Sequence, residues 1–262
     1  MTCIDTSRGR IEVAEAGGGD LIPIIFLHGV GSDNSVWAPQ LDHFGRRRRA
    51  LAFAYPGYGE SEFVDGATRD DYAAAILAAM DSMAIRRAHI CGLSLGGVVA
   101  IAMHALAPAR CASLILADSF AVHPDGQAIH DRSVAASQTM SMRALAEARS
   151  GMLLGSAASS ELRADVIETM AAIDPAAYRL GAAAVWLADQ RERAKSIDVP
   201  TLVLVGDEDV ITPPMLSDQL GALIAGSRVA IINGAGHLSN AEQPKLFNGL
   251  ADHFLSGIDP QN

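Results

Sequence analysis

Cysteine is scarce in this chain, with Cys3, Cys91 and Cys111 the three among 262 residues. They form no even framework and no CxxC pair, which excludes a disulfide scaffold and a cysteine zinc site. Cys91 and Cys111 fall in apolar runs and read as small buried hydrophobes. Long hydrophobic runs are missing as well, and none reaches the roughly 20 residues of a membrane-crossing helix. The first ten residues lack the apolar stretch of a secretory signal, so the expectation is a soluble cytoplasmic protein. Positive charge is in short supply: 20 Lys and Arg stand against 30 Asp and Glu, for a formal net charge of −10. That balance argues against nucleic acid, whose phosphates need a basic face. The one basic block, Arg46-Arg47-Arg48-Arg49, lies between a helical and an apolar segment and reads as a solvated approach to a strand. The histidines are scattered and no HExxH occurs, so no metal site is expected. The glycine-rich stretch Gly92 to Gly97 holds serine where a GxGxxG fingerprint needs glycine, which disfavours a dinucleotide. Internal repeats and low-complexity tracts are absent.

What is present is apolar and helix-prone. Half of the residues are hydrophobic and 19% are charged, which excludes a disordered chain and suffices for a core without staples. Residues 22–27, 50–54, 88–92, 112–117, 201–205 and 228–232 are short, nearly continuous apolar runs, the pattern of strands covered on both faces. Helical patterns fall between them at 70–83, 95–107, 214–224 and 241–256. The alternation predicts an α/β fold with a mostly parallel central sheet flanked by helices. The N-terminal piece, with Gly17-Gly18-Gly19, suggests an opening hairpin. The rhythm breaks between 121 and 196, where only helical patterns occur, at 127–150, 159–173 and 175–193. Such a stretch is too long for a loop inside a compact domain. It predicts a helical cap, 121–196, inserted into a core made of 1–120 and 197–262, over the sheet edge where ligands bind.

Four loops carry the chemistry. The strongest is Gly92-Leu93-Ser94-Leu95-Gly96-Gly97, set between a strand and a helix. A serine on a sharp strand-to-helix turn needs neighbours without side chains, so that the two elements close around it. The helix behind it aims N–H groups and its dipole at the site, favouring negative charge there. The bland alternative is a plain glycine-rich turn, which the strand-turn-helix context disfavours. His28-Gly29-Val30-Gly31 follows the strand 22–27. There the Val30 N–H would join the Leu95 N–H as an oxyanion hole, each donor being worth about 3 kcal/mol. His28 itself reads as a loop brace. Gly206-Asp207-Glu208-Asp209 and Gly234-Ala235-Gly236-His237 follow the next two strands, so all four loops lie at C-terminal strand ends. A serine hydroxyl needs an imidazole to take its proton, and the imidazole needs a carboxylate to orient it. His237 fits the base. Three adjacent carboxylates compete to be the acid.

Together these residues resemble the α/β-hydrolase superfamily, whose chain order is serine, acid, histidine. Trp37 with Gln40, and Pro56-Gly57-Tyr58-Gly59-Glu60-Ser61, are further matches, while the aspartate usual two residues before Pro56 is Ala54 here. The resemblance implies Ser94 as nucleophile, His237 as base and no cofactor. It also implies Asp209 as acid, the last position of a Gly-x-x-Asp pattern, with Asp207 as the alternative. A closer likeness is to the 3-oxoadipate enol-lactonases. It rests on Gly92 to Gly97, on Asp174-Pro175-Ala176-Ala177-Tyr178, and on Gly236-His237-Leu238-Ser239-Asn240-Ala241-Glu242-Gln243-Pro244 with Phe247-Asn248. That family opens a small acidic enol-lactone by hydrolysis. Its Trp-Phe pair in the first part of the cap is replaced here by Arg149-Ser150-Gly151-Met152-Leu153.

The expected function is therefore hydrolysis of a small carboxylic ester or lactone through an acyl-enzyme on Ser94. Trp37, His123, Arg132 and Trp186 are the expected substrate contacts, with Arg143 and Arg149 as other arginines able to meet a substrate carboxylate. Met140, Met142 and Met152 either line the pocket or pack cap against core. A small molecule is the one partner implied, and a homo-oligomer is compatible with the sequence. Carbon–carbon bond hydrolysis and cofactor-free haloperoxidation use the same triad, and a non-enzymatic ligand receptor on this scaffold is a rival of another class. Dehalogenase and epoxide-hydrolase chemistry is disfavoured, because its nucleophile is an aspartate.

Overall fold

The fold was read from a computed structural model that describes residues 1–259; the last three positions of the expected core, 260–262, lie outside the described residues. Eight strands form one sheet: β1 (Thr2–Thr6), β2 (Gly9–Ala16), β3 (Ile24–Leu27), β4 (Ala50–Phe53), β5 (Ala88–Leu93), β6 (Cys111–Ala117), β7 (Thr201–Gly206) and β8 (Arg228–Ile232). Their order is β1-β2-β4-β3-β5-β6-β7-β8. β1 and β2 form an antiparallel hairpin, β2 pairs antiparallel with β4, and every other pairing is parallel. The hairpin turns at Ser7-Arg8, and the three glycines instead link β2 to β3.

From β3 to β7 every strand residue is buried, because helices cover both faces and leave no face for polar alternation. β8 departs from its apolar sequence. It is the last strand in the sheet, and Val229 and Ile231 are exposed on that edge.

Three helices precede the break in rhythm: α1 (Ala38–Phe44), α2 (Arg69–Ser82) and α3 (Leu95–Leu106). α3 is apolar on all sides and buried from Leu95 to His104, as befits a helix pressed into the centre of the molecule. α2 begins with a capping box, Thr68 accepting the Asp71 N–H while the Asp71 side chain returns to the Thr68 N–H. Five helices lie between β6 and β7: α4 (Gly126–Thr139), α5 (Met142–Leu153), α6 (Ser160–Ala171), α7 (Pro175–Trp186) and α8 (Arg191–Lys195). The pattern at 127–150 proves to be two helices, because Ser141 stops the first and caps α5 by accepting the Ala144 N–H. Asp174 caps α7 in the same way, with Pro175 at its first position. The chain closes with α9 (Pro214–Leu223), α10 (Ser239–Glu242) and α11 (Pro244–Ser256). Among the described residues no helix is long and apolar enough to cross a membrane.

The arginine run is not wholly solvated. Arg46 and Arg49 reach Asp42 and Glu15 at the surface, but Arg48 is 2% exposed. It donates to Ile22 O and, through both terminal nitrogens, to Asp259, which also meets His89 Nε2 at 3.3 Å. The chain enters β4 beside the start of β3, and that crossing turns Arg48 inward.

Candidate active site

Ser94 is the single residue between β5 and α3, and its backbone sits at φ 55°, ψ −114°, a region that side chains rarely tolerate. Its N–H donates to Ala117 O at 2.9 Å, and its carbonyl accepts the Ser119 hydroxyl at 2.9 Å. The turn is tight enough that a Cβ on Gly96 would stand 2.0 Å from Leu27 O, and one on Gly92 would stand 2.1 Å from Gly96 O. The glycines flanking the serine are thus sterically required.

The Ser94 hydroxyl donates to His237 Nε2 at 3.0 Å, and His237 Nδ1–H donates to Asp209 Oδ2 at 2.8 Å. All three residues are buried. Asp209 is itself held, accepting the N–H groups of Ile211 and Thr212 on Oδ1 and the Thr212 hydroxyl on Oδ2. Its two neighbours point elsewhere. Asp207 accepts the N–H groups of Gly234 and Ala235, and Glu208 accepts the Ser156 N–H and hydroxyl. Of the three carboxylates, Asp209 is the one in contact with the imidazole.

The loop after β3 passes close by, since a Cβ on Gly29 would lie 3.4 Å from that of Ser94. Gly29 C=O accepts His28 Nδ1–H at 2.8 Å and the Ser32 N–H at 3.3 Å. A planar trans peptide aims its N–H opposite to its C=O, so these bonds turn the Val30 N–H the other way. Among the described residues neither Val30 N–H nor Leu95 N–H donates to a protein acceptor. Leu95 opens α3, where helix N–H groups have no intrahelical partner. Tyr58 fixes the other end of the loop by donating to Val30 O at 3.1 Å.

Burial pushes His28 down to about 4, against weaker upward pulls from Gly29 O, Asp33 and Glu12. Neutral, it donates through Nδ1 and accepts the Tyr55 N–H on Nε2, a brace and not a base. Burial also depresses His237, but the Asp209 charge and hydrogen bond outweigh it, and the imidazole ends above its ordinary value. Asp209 shows the reverse balance. Burial raises it, while His237 and the Thr212 bonds bring it down to about 2. Such opposite shifts on neighbouring groups are common where proton transfer is performed.

A cavity of about 490 Å³ opens onto Ser94 and His237, walled by Val30, Leu153, Val166, Met170, Trp186 and Ile211. The helices between β6 and β7 supply much of that wall. They dock through Leu153 O, which accepts the His237 N–H, and through Gly155 N–H, which donates to Glu242. Of the expected substrate contacts, Trp186 lines the cavity and three do not. Trp37 is fully buried beneath it, stacked 4.9 Å from Phe26, because the single turn before α1 points Trp37 at the sheet while Val36 and Ala38 face the cavity. His123 stands one layer behind, donating to Ile211 O at 3.2 Å with its ring edge against Trp186. Arg132 lies exposed on the outer side of α4. Arg143 pairs with Glu168, and Met140 and Met152 are exposed.

Arg149 is the arginine that reaches the cavity, half-buried, with Nη1 donating to Tyr178 and Ser133 hydroxyls. Sequence reasoning missed Met170, which carries no motif, and Asp118, a lone aspartate after β6. No group of three or more potential metal ligands is gathered among the described residues.

A model of the alpha/beta hydrolase family matches residues 24–250. The 3-oxoadipate enol-lactonase 1 of Acinetobacter baylyi is 27% identical over 258 residues, covering 97% of both chains. A pimeloyl-[acyl-carrier protein] methyl ester esterase of Neisseria meningitidis is 27% identical over 244 residues, covering 90% of this chain and 77% of the other. Among solved structures, the enol-lactonase of Burkholderia xenovorans LB400 superposes with a TM-score of 0.91 at 27% identity, over 97% of this chain and 100% of that one.

Proposed function

The chain belongs to the alpha/beta hydrolase family, and from that premise we propose that it hydrolyses a small, carboxylate-bearing ester or lactone through an acyl-enzyme on Ser94. One observation carries the reading: the unbroken proton path from Ser94 Oγ through His237 to Asp209, at the wall of a cavity of about 490 Å³. Ser94 Oγ attacks the carbonyl carbon as its proton passes to His237 Nε2. The oxygen that becomes negative faces the N–H groups of Val30 and Leu95, each worth about 3 kcal/mol to a developing alkoxide. His237 returns the proton to the leaving alkoxide, which in a lactone stays tethered to the acyl chain. A water then gives its proton to His237, attacks the acyl carbon and releases Ser94. The helical segment 121–196 acts as the cap that closes the cavity.

Arg149 supports the substrate class. Both of its hydrogen bonds leave from Nη1 to neutral hydroxyls, and among the described residues no carboxylate pairs with it. A guanidinium with Nε and Nη2 free presents a fork that fits a carboxylate. The relative named for 3-oxoadipate enol-lactone, an acidic lactone, agrees with that preference.

A fluorophosphonate probe tests the chemistry: labelling at Ser94 is expected, and an unlabelled serine on folded protein overturns the reading. For the substrate, a p-nitrophenyl hemisuccinate is compared with neutral p-nitrophenyl butyrate. Arg149→Gln should lower kcat/KM on the acid ester about 10- to 100-fold, the worth of a charged hydrogen bond, while changing the neutral ester far less. Equal losses on both esters would remove Arg149 from recognition and leave the hydrolase chemistry standing.

A further inference from the structure

Asp118 follows β6 directly and is fully buried, yet no step above uses it. Its backbone is left-handed, φ 47°, and its N–H donates to Leu204 O at 2.8 Å, prolonging the pairing with β7 by one residue. Its side chain reaches two other segments. Oδ1 accepts the Gly206 N–H at 2.9 Å, and Oδ2 shares a hydrogen bond with the Ser239 hydroxyl. Gly206 ends β7 and begins the turn to Asp209, whose own N–H donates back to Gly206 O. Ser239 opens α10, two residues after His237.

We propose that Asp118 is a positioning residue, its buried carboxyl group tying the loop that carries Asp209 to the loop that carries His237 and so setting the imidazole against Ser94. The proposal rests on the catalytic reading of those three residues given above. Among the described residues no lysine or arginine pairs with Asp118, and the charged groups that act on it are Asp209 and His237. Burial, and then the Asp209 charge, push it up to about 8. At neutral pH it therefore keeps its proton, and it bridges the two loops without placing a second negative charge beside Asp209. With its proton on Oδ2 the carboxyl group donates to Ser239 Oγ, from which the carboxylate form would instead accept, while Oδ1 accepts the Gly206 N–H. Asparagine can make both bonds and alanine neither.

The test compares Asp118→Ala with Asp118→Asn, reading kcat, KM and the rate of fluorophosphonate labelling across pH. Asp118→Ala should lower kcat and the labelling rate about 100-fold with KM changed far less, the signature of a misplaced base. Asp118→Asn should restore most of that loss. The wild type should lose activity as pH rises through about 8, where Asp118 ionises, and Asp118→Asn should lack that decline. Where Asp118→Ala does not fold, Ser239→Ala carries the comparison, since it removes one of the two bonds. Wild-type kcat in folded Asp118→Ala or Ser239→Ala makes the bridge merely structural and overturns the proposal. An Asp118→Asn as slow as the alanine variant overturns it too, because charge would then be what matters. A wild type that the probe does not label sinks the hydrolase reading first; a labelled wild type with indifferent variants sinks this proposal alone.

Discussion

Asp207, Glu208 and Asp209 are adjacent in one loop, and what separates them is the direction in which each side chain leaves it. Asp207 crosses to the N–H groups that begin the histidine loop, Glu208 turns outward to Ser156, and Asp209 turns inward to His237. Asp209→Asn is expected to lower kcat about 10⁴-fold, since an amide stabilises neither the right tautomer nor the protonated imidazole. Asp207→Asn should instead cost about 1–3 kcal/mol of stability, the loss of charged hydrogen bonds, with kcat within about tenfold. Steady-state kinetics and urea denaturation on the two variants separate these outcomes. The pH profile follows from the same pair. His237 lies above its ordinary value of 6.5 and acts only when unprotonated, so kcat/KM should fall as pH drops through that raised value. Asp209, near 2, stays ionised across the whole of that limb.

The arrangement of elements explains how the loop after β3, the proposed oxyanion loop, is braced. α7 crosses the loop after β3 with Gly181 at the contact, where a Cβ would stand 2.2 Å from the Tyr58 hydroxyl and 3.0 Å from Val30 Cγ2. Through that gap Tyr58 reaches Val30 O, and Tyr55 bonds to His28 O nearby. Gly181→Ala should push Tyr58 from Val30 and lower kcat about tenfold or more, because an oxyanion donor works only when preorganised. KM for a neutral ester should change less, and the ratio of the two effects is the measurement. A helix pattern at 175–193 announces α7, but nothing local says that its one glycine faces a tyrosine far back in the chain.

Across the whole molecule, the two ends of the sheet divide the work. The candidate site gathers at C-terminal strand ends, where parallel register sets Leu93 beside Ala117 and Gly206 beside Ile232. At the opposite end, Arg48, Asp259, His89 and Ser113 form a buried polar network. Arg48→Met should leave the buried Asp259 with only His89 to meet it and cost about 3 kcal/mol, the low end for a broken buried pair. Denaturation would register that loss, while kcat of the folded fraction should stay at the wild-type value because the network lies a strand's length from Ser94.

The sequence by itself determined the α/β alternation, the helical segment after β6 and the loops in which Ser94, Asp209 and His237 sit. Those features are local: apolar runs select strands, and turn glycines are legible wherever backbone must approach backbone. Only the tertiary structure decided which side chains meet. Asp118 has no motif, and its partners Gly206 and Ser239 lie 88 and 121 residues away. Arg149 faces the cavity, Arg132 faces solvent and Trp37 packs under it, distinctions set by how helices dock on the sheet. Periodicity tells which face of a helix is buried, not what it is buried against, and the substrate meets the second of these.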